Sequence, residues 1–285
     1  MLIEERVPAC EDPQVDLFTV RSTAPVERAL LIIHGGPDWD HTYLLEPLVD
    51  LAQTHLLVFA DLRGCGRSTA GLPDEAYNPD AATTDLLTML DALGIGRVNV
   101  LGFSYGGTLA QRLTLAAPQR VRRLIIASSS IPPVPDNAYD DWPEAAEFRA
   151  AGDAAWTELL ADPTPENTRA HALAGIPANA WKPESREELH RRLETVRFSA
   201  EWARPLLAGT LPSARPDDSQ ARLAALDLPI LLLHGRQDLT FPAALAERTA
   251  AEMPNAHAVV LDQAGHMAHI DQPRDWLQAI TDFLD

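Results

Sequence analysis

Apolar residues in this chain fall into two recurring textures. Short runs dominated by apolar residues occur at Ala29-Leu30-Leu31-Ile32-Ile33, Leu56-Leu57-Val58-Phe59-Ala60, Val98-Asn99-Val100-Leu101, residues 121–127, Pro229-Ile230-Leu231-Leu232-Leu233 and Ala258-Val259-Val260-Leu261. Such runs suit strands buried on both faces. Between them, apolar residues return at every third or fourth position over 42–53, 79–93, 108–115, 242–252 and 273–284, a spacing that predicts helices. Ahead of the first run, residues 2–7 and 15–21 read as two strands of an edge hairpin joined by Pro8–Pro13. Strands alternating with helices predict an α/β fold with a mostly parallel sheet and helices on both faces.

One segment interrupts the alternation. Residues 131–218 are rich in proline, acidic residues and tryptophan, show helical spacing and contain no strand pattern. They read as a helical cap inserted at the carboxyl edge of a core formed by 1–130 and 219–285, the edge where α/β proteins bind ligands.

Composition narrows the classes of function. At 285 residues and 46% hydrophobic, the chain can bury a large core. A net charge of −18 disfavours nucleic acid and anionic membrane as partners. No apolar run reaches the length of a membrane span, and the acidic start Met1-Leu2-Ile3-Glu4-Glu5 does not resemble a signal peptide. Two cysteines, Cys10 and Cys65, fit a reducing cytosol, so a cytoplasmic protein is expected.

The candidate chemistry centres on Gly102-Phe103-Ser104-Tyr105-Gly106-Gly107, placed between a strand and a helix. A serine at the apex of a sharp strand–helix turn holds its hydroxyl clear of its own backbone, and the small neighbours let strand and helix close around it. A serine hydroxyl needs a base to take its proton and an acid to hold that base. Asp238 follows the strand 230–235, and His266 follows the strand 257–261. Asp238 also suits a plain turn or helix cap, and His266 competes with His269 three residues on.

With these residues in place, the chain resembles the α/β-hydrolase superfamily. Within it, His34-Gly35-Gly36-Pro37 and Asp61-Leu62-Arg63-Gly64-Cys65-Gly66-Arg67-Ser68 are similar to the proline iminopeptidase branch. The resemblance covers roughly 1–130 and 219–285 and weakens in 131–218. It implies the α/β-hydrolase fold, with Ser104 as nucleophile, His266 as general base, Asp238 as its orienting acid, and the N–H groups of Gly36 and Tyr105 as the oxyanion hole. The chain departs from the branch at Asp38, where glycine is usual, and at Tyr105, where tryptophan is usual. The expected activity is therefore a serine hydrolase. It is either an aminopeptidase acting on short peptides or an esterase or related hydrolase acting on small neutral carbonyl compounds; a ligand-binding role without turnover is a third reading. In the branch, cap carboxylates receive the substrate's amino group, and Glu144, Glu147, Glu158 and Glu201 are candidates here.

No cofactor or metal is implied: His34 and His234 lie at strand ends without metal-ligand spacing and read as satisfied loop histidines. The run Asp61–Ser68 lacks the lysine of a phosphate loop and reads as a brace, with Arg63 in a buried ion pair and Cys65 packed. Trp142, Trp156, Trp181 and Trp202 read as core rather than substrate platform, and Glu184–Glu194 as a solvated helix face.

Overall fold

The computed structural model describes all 285 residues. Eight strands form one sheet: β1 (Ile3–Glu11), β2 (Gln14–Arg21), β3 (Ala29–Ile33), β4 (Leu56–Ala60), β5 (Val98–Phe103), β6 (Val121–Ala127), β7 (Ile230–Gly235) and β8 (Ala256–Leu261). Their order across the sheet is β1-β2-β4-β3-β5-β6-β7-β8. The pairs β1/β2 and β2/β4 are antiparallel, and all pairs from β4 to β8 are parallel. This is the mostly parallel, helix-flanked sheet of the α/β-hydrolase fold.

The apolar runs explain the middle of the sheet. Every residue of β3, β4, β5 and β7 is buried. Alternate residues of β3 face opposite ways: Leu31 and Ile33 enter a core with Val58 and Val100, while Leu30 and Ile32 enter a second core with Leu57 and Leu101. Helices on both faces bury these side chains, at roughly 1.5–3 kcal/mol for each large one.

Two local expectations fail. The hairpin is longer than its pattern: β1 runs through Pro8 to Glu11, with a bulge between Pro8 and Cys10. Proline is tolerated there because β1 is an edge strand and needs no donor on its open side. Residues 42–53 do not form one helix. They break into short 3-10 and α-helical turns, with Glu46 extended (φ −95°, ψ 135°) just before Pro47, because a proline disfavours helical geometry in the residue preceding it.

Between β6 and β7 the chain carries helices and no strand, including Glu144–Ala161, Pro165–Ala174, Ile176–Asn179, Pro183–Leu193 and Ala203–Leu207. No helix in the protein is long and apolar enough to cross a membrane.

Candidate active site

Ser104 sits between the end of β5 and the helix Tyr105–Ala116 in a conformation L-residues rarely adopt, φ 54° and ψ −121°. The neighbouring glycines permit it. A Cβ on Gly102 would collide with the Gly106 carbonyl, and one on Gly106 with the Ile33 carbonyl. Strand and helix therefore meet at backbone contact, and the Ser104 side chain is left facing the carboxyl edge of the sheet. Its own N–H donates to the Ala127 carbonyl at 3.0 Å, which ties the turn to β6.

The structure brings Ser104, His266 and Asp238 together. His266 Nε2 lies 3.1 Å from Ser104 Oγ, and His266 Nδ1 lies 3.0 Å from Asp238 Oδ2. The other carboxylate oxygen, Asp238 Oδ1, accepts the N–H groups of Thr240 at 2.7 Å and Phe241 at 2.9 Å. Asp238 is 1% exposed. Burial alone would raise its pKa, but the charge and hydrogen bond of His266, with the Phe241 N–H, outweigh burial and hold the carboxyl below its ordinary value. Asp238 therefore both caps a turn and holds the imidazole.

The loop bearing His266 is gripped on both sides. The Gly265 N–H donates to Asp271 Oδ2 at 2.8 Å, and the Met267 N–H donates to the Asn179 carbonyl at 2.8 Å. Asp271 also accepts the N–H groups of Trp181 and Lys182, each at 3.0 Å. The ring itself lies between Phe103 and Phe241, with centroids at 5.2 and 5.9 Å.

His269 is placed differently. It is fully buried among Tyr43, Phe103 and Trp276, its ring nitrogens have no partner, and burial pushes its pKa well down. It is a packing residue beneath the site.

Gly36 and Tyr105 border the same cavity as Ser104. Neither N–H donates in any turn or loop hydrogen bond. The Gly35 N–H donates to the Tyr43 hydroxyl at 2.8 Å, which fixes the loop holding Gly36.

Asp38, the first departure from the branch pattern, takes the left-handed conformation that a glycine favours, φ 68°. Its carboxylate accepts the Ser199 hydroxyl at 2.8 Å and the N–H groups of Trp202 and Ala203, each at 3.0 Å. It thus joins the Gly36 loop to the start of the helix Ala203–Leu207. Burial raises its pKa above the ordinary carboxylate value, and these hydrogen bonds only partly offset the rise. No local pattern in the sequence announces this role, because the Trp202 donor lies 164 positions away.

A cavity of about 360 Å³ opens above Ser104. Its walls include Trp39, Tyr43, Tyr105, Trp156, Leu159, Trp202 and Met267. Trp156, 37% exposed, faces the cavity against the expectation that the tryptophans of 131–218 are core, whereas Trp202 borders the cavity from within the core. Trp202 is also fully buried and donates from Nε1 to the Arg63 carbonyl at 2.8 Å, whereas Trp142 and Trp181 pack against each other.

None of the four candidate glutamates lines the cavity. Glu144, Glu147 and Glu158 are exposed, and Glu201 is bound to Arg204, Tyr77 and the Gly71 N–H.

The remaining candidates are structural. Arg63 forms a buried two-fold pair with Asp85, both contacts at 2.6 Å. Cys65 is packed, and burial pushes its thiol well up. His34 is satisfied by the Gly35 carbonyl and the Leu62 N–H. His234 is not satisfied, against expectation: both ring nitrogens lack a partner, and burial pushes its pKa down to about 4. No three His, Cys, Asp or Glu side chains converge as a metal ion would require.

Comparison with known proteins fits this architecture. The sequence pattern of the alpha/beta hydrolase fold family matches residues 28–273. A putative carbamate hydrolase RutD of Pseudomonas savastanoi pv. phaseolicola is 28% identical over 273 residues, 90% of this chain and 93% of that one. A pimeloyl-(acyl-carrier protein) methyl ester esterase of Nitrosomonas europaea is 28% identical over 251 residues, 87% of this chain and 92% of that one. The resemblance to the iminopeptidase branch has a structural counterpart. A proline iminopeptidase-related protein of Thermus thermophilus superposes with a TM-score of 0.73 at 25% identity, covering 100% of this chain and 97% of that one. With a family match spanning most of its length, a serine on a strained strand–helix turn and relatives named as hydrolases and esterases, the chain belongs to the α/β-hydrolase family, as a serine hydrolase.

Proposed function

We propose that the protein hydrolyses small, neutral, largely apolar esters, with Ser104 as nucleophile, His266 as base, Asp238 as the acid that holds it, and the N–H groups of Gly36 and Tyr105 as oxyanion donors. His266 Nε2 takes the Ser104 proton as Oγ attacks the ester carbonyl. The two N–H groups stabilise the oxyanion, a contribution of roughly 3 kcal/mol per donor in comparable sites. His266 then returns the proton to the departing alcohol, leaving an acyl-serine. Water, deprotonated by the same imidazole, releases the acid and restores the hydroxyl. Residues 131–218 act in this reading as the cap that selects substrate.

The observation that carries the substrate class is the cavity's lack of a free acid. Its one carboxylate, Asp38, already accepts three hydrogen bonds. An ammonium group entering an apolar cavity needs an anion to offset its desolvation, and none is on offer. Relatives named for ester and carbamate chemistry support the same reading.

The test compares p-nitrophenyl butyrate with prolyl and alanyl p-nitroanilides, each anilide with its amine free and acetylated. The ester should be turned over, and Ser104→Ala should reduce that rate by about 10³-fold or more while the protein stays folded. A fluorophosphonate should label Ser104 alone. Turnover of the anilides with a large preference for the free amine would overturn the ester reading in favour of the aminopeptidase.

A further inference from the structure

The polar side chains that residues 131–218 bring to the cavity are confined to one stretch. Thr168, His171 and Asn179 border it from the helices Pro165–Ala174 and Ile176–Asn179. Positions 168 and 171 are three apart in the first helix and so share a face of it. The Thr168 hydroxyl is already committed to the Ser199 carbonyl at 2.7 Å. The other two side chains have no such partner. The His171 ring packs against Trp156, with centroids at 5.2 Å, and the Asn179 amide is anchored only through its main chain, whose carbonyl accepts the Met267 N–H.

Gly175 joins the two helices and packs closely on the helix Glu144–Ala161, its Cα 3.4 Å from where a Cβ on Gly152 would stand. Its backbone at the junction, φ −77° and ψ −6°, is open to any residue, so no left-handed conformation calls for glycine. A Cβ there would stand 3.1 Å from Asn179 Nδ2, crowding the amide. The imidazole of His171 and the carboxamide of Asn179 are thus two uncommitted polar groups on this part of the cavity lining.

Charge fixes what such a pair takes. No lysine or arginine lines the cavity, and burial lowers the pKa of His171, so at neutral pH its ring is an uncharged donor and acceptor. An anionic group would be desolvated there without a counter-charge, whereas a neutral carbonyl or hydroxyl would find donors and acceptors. Building on the ester reading above, we propose that His171 and Asn179 form a specificity subsite for a neutral carbonyl or hydroxyl group carried by the substrate at a distance from its ester bond.

The test uses matched ester pairs. Ethyl 4-oxopentanoate against ethyl pentanoate probes a ketone on the acyl side, and 3-oxobutyl acetate against butyl acetate probes one on the alcohol side. The wild-type enzyme should prefer the keto member of one pair by about tenfold in kcat/KM, the scale of one or two neutral hydrogen bonds. His171→Phe and Asn179→Leu should each bring that ratio close to one. Monoethyl succinate, with a carboxylate near the position of the ketone, should be a poorer substrate than ethyl pentanoate. Should one variant fail to fold, the other still reads the ratio. Ratios near one for both pairs in the wild type, an undiminished preference in the variants, or a preference for the carboxylate would overturn the subsite while leaving ester hydrolysis standing. Absence of turnover on all the esters would overturn the ester reading and the subsite with it.

Discussion

His266 and His269 lie three residues apart, are both buried and differ in what their nitrogens meet. His266 bridges a hydroxyl and a carboxylate, whereas His269 meets only aromatic rings. His266→Ala should therefore cost about 10³-fold or more in kcat. His269→Leu should change kcat far less, and its stability should stay within about 1 kcal/mol, because the substitution removes two unpartnered buried nitrogens along with the ring. Steady-state kinetics and urea unfolding on the two variants check this, and the reverse order of losses in kcat would exchange their roles. Asp38 and Asp238 form a second contrast. Asp238 is held below the ordinary carboxylate value, so its stabilising effect is present above the unfolded pKa of about 3.9 and is lost as pH falls through the folded value. Asp38 is held above it, so its contribution is complete below about pH 3.9 and is lost as pH rises through the folded value. Unfolding free energies measured from acid to neutral pH should move in opposite directions relative to the wild type for Asp38→Asn and Asp238→Asn. Slopes of one sign would contradict the opposed environments.

Asp271 links elements rather than atoms of the reaction. One carboxylate receives the loop that carries His266 and the start of the run leading to the helix Pro183–Leu193. Asp271→Ala should leave three N–H groups without acceptors and let the imidazole drift. A misplacement of order 1 Å costs about 10²-fold in rate. Fluorophosphonate labelling of Ser104 should slow in parallel with kcat, while KM for a small ester changes little; an effect on KM alone would mean that Asp271 serves only the cavity wall. Elements of this kind mark the boundary of what the sequence discloses. The central strands are legible because burial on both faces leaves unbroken apolar runs, and Ser104, Asp238 and His266 are legible because each follows such a run. The break at Pro47 runs against a helical spacing that the proline overrides, and the extension of β1 through Pro8 depends on its being an edge strand. Asp38 and Asp271 act through partners far along the chain, 165 positions for Asp38 with Ala203 and 89 for Asp271 with Lys182. No local pattern can encode such pairings.

Across the whole molecule, a strong negative net charge coexists with a few exposed apolar side chains. The net charge is −18, yet Trp156, Leu206 and Leu207 are among the few large apolar residues left exposed, at 37%, 44% and 40%, and Trp156 and Leu206 border the cavity. A neutral ester meets no electrostatic barrier on approach, and an anionic one does. The two carboxylates described above also govern how the cover over the cavity can move. Asp38 fastens the covering helices beside the Gly36 loop, and Asp271 fastens them beside the His266 loop. Lifting the cover as a rigid lid would tear out both fastenings and unseat the machinery it covers. The cover and the chemistry beneath it are thus bolted together at two separate points.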